Sequence, residues 1–174
     1  MLDRVREALF STLGARVPGA RVLDLFAGSG SLGLEALSRG ARAARMIEKD
    51  PRAIAVLKAN VELLGLRERA EVIRGDALRR DLWSELLTGE PPEPPAIVFL
   101  DPPYPQLESG DHRTLILRRT EELLREVLKP GGCLVIHAPS RGLDGLRIPG
   151  GWRRDDRRYG GSGLLYLYKE AAAP

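Results

Sequence analysis

The residues best suited to chemistry are Asp101-Pro102-Pro103-Tyr104, which directly follow the apolar run Ala96-Ile97-Val98-Phe99-Leu100. The run reads as a buried strand. Two consecutive prolines stop it, because each lacks an N–H and has a fixed φ, and the first pushes Asp101 towards extended backbone. A carboxylate, a stiff turn and an aromatic ring are therefore expected at the carboxyl end of a strand, the edge at which open α/β sheets bind ligands. Such an acceptor-rich turn beside a flat ring suits a planar base carrying an exocyclic amine.

A second constellation lies in Val22-Leu23-Asp24-Leu25-Phe26-Ala27-Gly28-Ser29-Gly30-Ser31-Leu32-Gly33. Its glycines allow a tight turn and close approach of a ligand to the backbone. Glu48 lies 20 residues after Gly28 at the end of the next strand, where an acid can accept hydrogen bonds from both hydroxyls of a ribose. The glycine spacing also fits a dinucleotide fingerprint. Asp24 argues against that ligand, because it adds negative charge where a pyrophosphate would sit. A cofactor with a sulfonium and an ammonium and no phosphate is favoured instead, and S-adenosylmethionine has those properties. Asp76, in Gly75-Asp76-Ala77, can accept from an adenine amino group or cap the helix that follows.

These residues need a scaffold of alternating strands and helices. Apolar spacing predicts helices over Asp3–Leu13, Ser31–Ser38, Pro51–Leu64, a segment running through Leu86, and Arg113–Leu128. Strands are expected over Arg21–Phe26, Ala43–Glu48, Ala70–Arg74, Ala96–Asp101 and Cys133–Ala138, with a terminal hairpin of Trp152–Arg158 and Gly163–Tyr168 around Gly160-Gly161. The alternation implies an α/β fold with a mainly parallel sheet and helices on both faces. At 174 residues the chain is expected to be one domain, 1–174.

Composition is globular, at 43% hydrophobic and 29% charged residues. No run of about 18 apolar residues suggests a membrane span, and the charged start Met1-Leu2-Asp3-Arg4-Val5-Arg6-Glu7 does not read as a secretory signal. Cys133 is the only cysteine, so there is no internal disulfide, and a reducing cytoplasm is expected. One Cys and two His leave little material for a metal site. The net charge of +3 permits an anionic partner without requiring one. His137 and Cys133 fall in a strand pattern and are expected in the core; His112 is expected in the loop after the tetrapeptide.

With these motifs in place, the chain resembles class I S-adenosylmethionine-dependent methyltransferases, and more narrowly the RsmD family of bacterial 16S ribosomal RNA guanine-N2 methyltransferases. The resemblance rests on Asp3-Arg4-Val5-Arg6-Glu7-Ala8-Leu9-Phe10, the run Leu23 to Gly40, Ile47-Glu48-Lys49-Asp50, Asp101-Pro102-Pro103-Tyr104 and Arg158-Tyr159-Gly160. It implies a Rossmann-like, seven-stranded sheet with an antiparallel C-terminal strand, and an N-terminal helix, residues 1–14, on the cofactor and RNA side. It also implies a cofactor site of Asp24, Phe26, Ala27, Gly28, Gly30, Glu48, Lys49, Asp76 and Ala77. One departure is clear: family members carry a basic, threonine-containing stretch ahead of the position of Asp3, where this sequence has Met1 and Leu2.

The resemblance further implies that Asp101 and the carbonyl of Pro102 accept the two N–H bonds of a guanine amine while Tyr104 stacks on the base. Arg4 and Arg6, in the family-like opening, and Arg113, after the tetrapeptide, are the expected RNA contacts; Arg118, Arg119, Arg153, Arg154, Arg157 and Arg158 are further basic candidates. The expected partner is ribosomal RNA within an assembling small-subunit particle, with no membrane, and a monomer is the default. Three rival readings are an N6-adenine methyltransferase, a nicotinamide-dependent oxidoreductase and a non-catalytic RNA-binding assembly module. The first lacks room for a target-recognition region, the second leaves the two prolines unexplained, and the third has no need of acidic cofactor positions.

Overall fold

The computed structural model describes residues 1–82, 93–108, 110–148 and 152–171. The segment Thr88 to Pro95, the helix through Leu86 and Trp83 fall partly or wholly outside them. Seven strands form one sheet in the order β3-β2-β1-β4-β5-β7-β6. They are β1 (Arg21–Leu25), β2 (Ala43–Glu48), β3 (Ala70–Arg74), β4 (Ile97–Leu100), β5 (Cys133–Pro139), β6 (Arg153–Tyr159) and β7 (Ser162–Tyr168). Strands β1 to β5 pair in parallel, whereas β7 runs antiparallel to both β5 and β6. The terminal hairpin thus inserts its second strand beside β5 and leaves the charged β6 at the edge, where a row of arginines and aspartates discourages further pairing.

Strand periodicity divides the core in two. Phe99, Val135, Leu164 and Tyr166 point to the face covered by α1 (Asp3–Leu13), α2 (Ser31–Ser38) and α3 (Pro51–Leu63). Leu100, Leu134, Ile136 and Leu165 point to the other, which packs against Ile116, Leu123, Leu124 and Val127. Every residue of β4 and of β7 is buried, as expected of strands covered on both faces. On the first face Phe10 meets Phe99 edge to face, with centroids 5.8 Å apart, a favoured aromatic geometry.

The helices begin and end close to where spacing and capping residues predict. Asp50 caps α3, accepting from the Arg52 N–H at 2.7 Å, with Pro51 in the first turn. The principal difference follows the tetrapeptide. A short helix, α4 (Tyr104–Glu108), begins immediately after the prolines, and α5 (Gly110–Glu122) starts three residues earlier than Arg113. His112 is therefore an exposed helical residue rather than part of a loop. Asp111 in the first turn favours that earlier start through the helix dipole. Among the described residues no helix is long and apolar enough to cross a membrane.

Candidate active site

Chain order reverses between β1 and β4: β2 and β3 lie to one side of β1, β4 and β5 to the other. Such a switch point opens a crevice beyond the carboxyl ends of the strands. Four acidic residues line that edge in strand order, Asp76 after β3, Glu48 ending β2, Asp24 within β1 and Asp101 after β4. The sequence predicted all four.

Asp24 is 1% exposed. Its Oδ2 accepts from the Gly33 N–H at 2.9 Å, while Oδ1 is buried without a partner in the described structure. Burial pushes its carboxyl up to about 7; the nearby carboxylates of Asp101 and Glu48 add to this and the Gly33 N–H opposes it. Loop-capping and an open acceptor thus coexist in one side chain. Gly33 has no room for a side chain: a Cβ there would lie 2.6 Å from Met46 Sδ. Its absence lets α2 sit close enough for the amide to reach Asp24.

The loop between β1 and α2 is strained and open. Phe26 has φ +75°, the one positive-φ non-glycine among the described residues, a conformation that costs on the order of 1–3 kcal/mol and clusters at functional sites. The Ala27 N–H donates to the Ile47 carbonyl at 2.9 Å, which ties the loop to β2. Gly28 has φ +56°, with nothing within 4 Å of where a Cβ would stand, so its backbone faces open space. Gly30, at φ +92°, closes the turn against Leu57 and Leu34.

Glu48 is wrapped by backbone amides. Its Oε2 accepts from the Gly28 N–H at 2.8 Å, and its Oε1 accepts from Lys49 and Asp50, both at 2.8 Å. A carboxylate offers about four acceptor positions, so one remains for a ribose hydroxyl. Asp76 caps the turn after β3, accepting from the Leu78 N–H at 3.0 Å, and its other oxygen lies 4.0 Å from Lys49 Nζ. Ala77 is buried beside it. These acceptors fit S-adenosylmethionine: an orphaned buried carboxylate oxygen for an ammonium, a fixed acid for a ribose and an acid for an adenine amine, while Lys49, the base beside them, faces Asp76.

On the other side of the switch point lies an open cleft of about 500 Å³, lined by Met1, Leu2, Asp101, Pro102, Pro103, Tyr104, His137 and Ser162. A smaller cleft of about 210 Å³, at Arg21, Arg45, Arg69 and Glu71, sits at the opposite, amino-terminal edge of the sheet, away from these groups. The residues of the cleft are joined. His137 Nδ1 lies 2.7 Å from Asp101 Oδ1, Tyr104 Oη lies 2.9 Å from His137 Nε2, and Tyr104 Oη lies 3.0 Å from Ser162 Oγ. His137 is buried, as its strand pattern predicts, but it is not an inert core residue. Sequence reasoning missed His137 and Ser162. A signal for the first existed: β4 and β5 pair Ile97 with Cys133 and Phe99 with Val135, and extending that register by two brings Asp101 beside His137. Cys133 is a core residue, and burial pushes its thiol up to about 12.

The expected RNA-facing arginines divide. Arg154 donates to Asp156 at 2.7 Å and to the Leu143 carbonyl at 2.9 Å; Arg157 reaches Asp155 and Thr12; Arg158 reaches Asp144. Arg153 lies over the Tyr168 ring, 3.7 Å from its centroid. Arg154, Arg157 and Arg158 brace the hairpin against its surroundings, and Arg153 packs within it. Arg118 and Arg119 both pair with Glu122 within α5. Arg6 pairs with Asp3 at 3.0 Å, and Arg113 donates to the Gly145 carbonyl. Arg4 is exposed and lies by Gly160, on the same side as the cleft's Met1 and Leu2.

Known proteins share this arrangement of sequence. The family model described as conserved hypothetical protein 95 matches residues 1–169. The chain is 33% identical over 171 residues to ribosomal RNA small subunit methyltransferase D of Escherichia coli K12, which covers 98% of this chain and 78% of that protein. It is 41% identical over 115 residues to YlbH of Bacillus subtilis, which covers 66% of this chain and 60% of that relative's length. A conserved hypothetical protein of Streptococcus pyogenes has the same fold, with a TM-score of 0.75, 30% identity and 95% of each chain covered. The matched length and the near-complete alignment place the chain in a known group: it belongs to the RsmD family of small-subunit ribosomal RNA methyltransferases, described by its model as conserved hypothetical protein 95.

Proposed function

We propose that this protein transfers a methyl group from S-adenosylmethionine to the exocyclic N2 amine of a guanine in small-subunit ribosomal RNA. One observation carries the reading: the Asp101-Pro102-Pro103-Tyr104 turn stands at the switch point directly beside the orphaned Asp24 carboxylate. Asp24, Gly28, Glu48 and Asp76, with Phe26, Ala27, Gly30, Lys49 and Ala77 around them, would hold the cofactor. When bound, the cofactor supplies a methyl carbon on a sulfonium sulfur that leaves as a neutral thioether.

The chain's own task is positioning. An aromatic exocyclic amine is a poor nucleophile because its lone pair is delocalised into the ring. Asp101 Oδ2 and the Pro102 carbonyl accept the two amine N–H bonds, which favours a tetrahedral nitrogen and aims its lone pair away from both acceptors. The Tyr104 ring stacks on the base and fixes its plane. As the C–N bond forms, the nitrogen becomes acidic and its extra proton passes to Asp101 or to water. Orientation of this type can lower a barrier by roughly 7–11 kcal/mol. The base must be unstacked or single-stranded to present its edge, and the open cleft admits a base from solvent.

Arg4, Arg6 and Arg113 supply backbone contacts, which give salt-sensitive affinity rather than base choice. The proposed substrate is an assembling particle whose bound proteins help present the RNA. The protein acts as a monomer in the cytoplasm. The test is transfer of tritiated methyl groups from S-adenosylmethionine to unmodified small-subunit particles, followed by nucleoside analysis. N2-methylguanosine at one site is expected; N6-methyladenosine, or cofactor binding without transfer to any RNA, would overturn the assignment.

A further inference from the structure

We infer that His137 is a positioning residue for methyl transfer, holding the Asp101 carboxylate and the Tyr104 ring as one unit through a directed hydrogen-bond chain that runs Ser162 to Tyr104 to His137 to Asp101. The inference rests on the proposed roles of Asp101 and Tyr104. The acid fixes the polarity of the chain. An ionised carboxylate can only accept, so His137 Nδ1 donates to Asp101 Oδ1 over 2.7 Å. A neutral imidazole then has its lone pair on Nε2, and the Tyr104 hydroxyl donates to it over 2.9 Å. The Tyr104 oxygen in turn accepts from the Ser162 hydroxyl over 3.0 Å. Each donor is used once and in one direction.

The ends of the chain are built into the sheet. Asp101 follows β4, His137 belongs to β5 and Ser162 opens β7, three neighbouring strands. Ser140 Oγ lies within 2.7 Å of both the Gly160 and Ser162 carbonyls, its one O–H shared between them, which clamps the hairpin turn to the end of β5. The Tyr104 and His137 rings meet at 5.3 Å, tilted by 55°. With one Asp101 oxygen held, the other is turned to the cleft in a single orientation. With its hydroxyl held at both sides, Tyr104 presents its ring in a set plane before a base arrives, which is preorganisation of the kind that lowers barriers.

Stability gives no reason for this histidine. Position 137 lies in a wholly buried strand, opposite Leu164, where an aliphatic side chain would pack at no desolvation cost. The chain therefore predicts separable effects. Asn at 137 places a side-chain donor near the Nδ1 position but cannot reach Tyr104; Gln reaches towards Tyr104 but leaves Asp101 without its donor. H137N is expected to retain kcat within about threefold and to raise KM for the RNA particle. H137Q is expected to lower kcat by about tenfold to a hundredfold, with KM near the parent value.

The experiment compares kcat and KM of parent, H137N, H137Q and D101A, with S-adenosylhomocysteine binding as the check on folding. An inactive D101A beside H137N and H137Q variants that match the parent would overturn the inference and leave the proposed function standing. An active D101A would remove the proposed function itself. Should either histidine variant not fold, nitrogen NMR of the His137 ring in the parent decides. A neutral Nδ1–H tautomer whose Nε2 resonance moves in Y104F supports the chain; an Nε2–H tautomer or an imidazolium overturns it.

Discussion

The two sides of the switch point hold their acidic residues by different means. On the proposed cofactor side every carboxylate is anchored by backbone amides: Asp24 by Gly33, Glu48 by Gly28, Lys49 and Asp50, Asp76 by Leu78. On the proposed substrate side Asp101 is anchored by a side chain 36 residues away, which is itself tied to Tyr104 and through it to Ser162. Backbone anchoring survives most side-chain substitutions nearby and suits a site that binds an invariant small molecule. Side-chain anchoring depends on a few individual residues and suits a site whose reactive geometry has to be set finely.

Mutations on the two sides should therefore fail differently. The largest effect is expected for Asp101→Ala, which should lower kcat by about a hundredfold to ten-thousandfold, the usual reach of a positioned acid or base, while S-adenosylhomocysteine affinity measured by calorimetry stays within about twofold. Comparable loss of cofactor affinity would show that the two sides are not separable. Glu48→Ala should do the reverse. Losing a charged acceptor costs about 1.5–3 kcal/mol, so cofactor affinity should fall by roughly tenfold to a hundredfold, and turnover at saturating cofactor should largely recover.

The same contrast explains what the sequence disclosed. Asp24, Glu48 and Asp76 were legible because each sits at a strand end beside the glycine or turn residues that bind it, within a local pattern. Asp101 and Tyr104 were legible because two prolines mark the turn. His137 and Ser162 were not, because a histidine in an apolar strand and a serine after a glycine pair carry no local mark; their meaning comes from strand pairing across the sheet. The arginines show the same limit. Nine of them look alike in sequence as candidates for RNA, and only the fold reveals that Arg154, Arg157 and Arg158 spend donors on Asp156, Asp155, Asp144 and the Leu143 carbonyl. The early start of α5 is a smaller case, since Gly110 and Asp111 read equally well as loop residues.

Asp24 offers a test by pH. Its folded-state value of about 7 lies above the ordinary 3.8, so the native chain holds this proton more tightly than the unfolded chain. The contribution to stability is therefore present below about 4 and is lost as pH rises through about 7. The cofactor-free protein should lose melting temperature across that window relative to Asp24→Asn, whose side chain does not titrate. Cofactor affinity should follow the opposite sense. Below about 7 the protonated carboxyl cannot balance an ammonium, so S-adenosylhomocysteine affinity should fall by up to about tenfold per pH unit, and the variant should bind weakly without this dependence. A parent and variant with parallel profiles in both measurements would remove Asp24 from the cofactor's charge balance.

The smallest expected effects separate structural from RNA-facing arginines. Arg154→Ala breaks hydrogen bonds to Asp156 and the Leu143 carbonyl, so it should lower the melting temperature while leaving the salt dependence of particle binding unchanged. Arg4→Ala should leave stability alone, because the side chain is exposed, lying near Gly160. If Arg4 contacts a phosphate, its loss should reduce the slope of log affinity against log salt by about one. Exchange of those two outcomes would place the RNA along the β6 edge rather than across the α1 side of the cleft. The direction from which a guanine enters would then change, although the chain holding Asp101 would not.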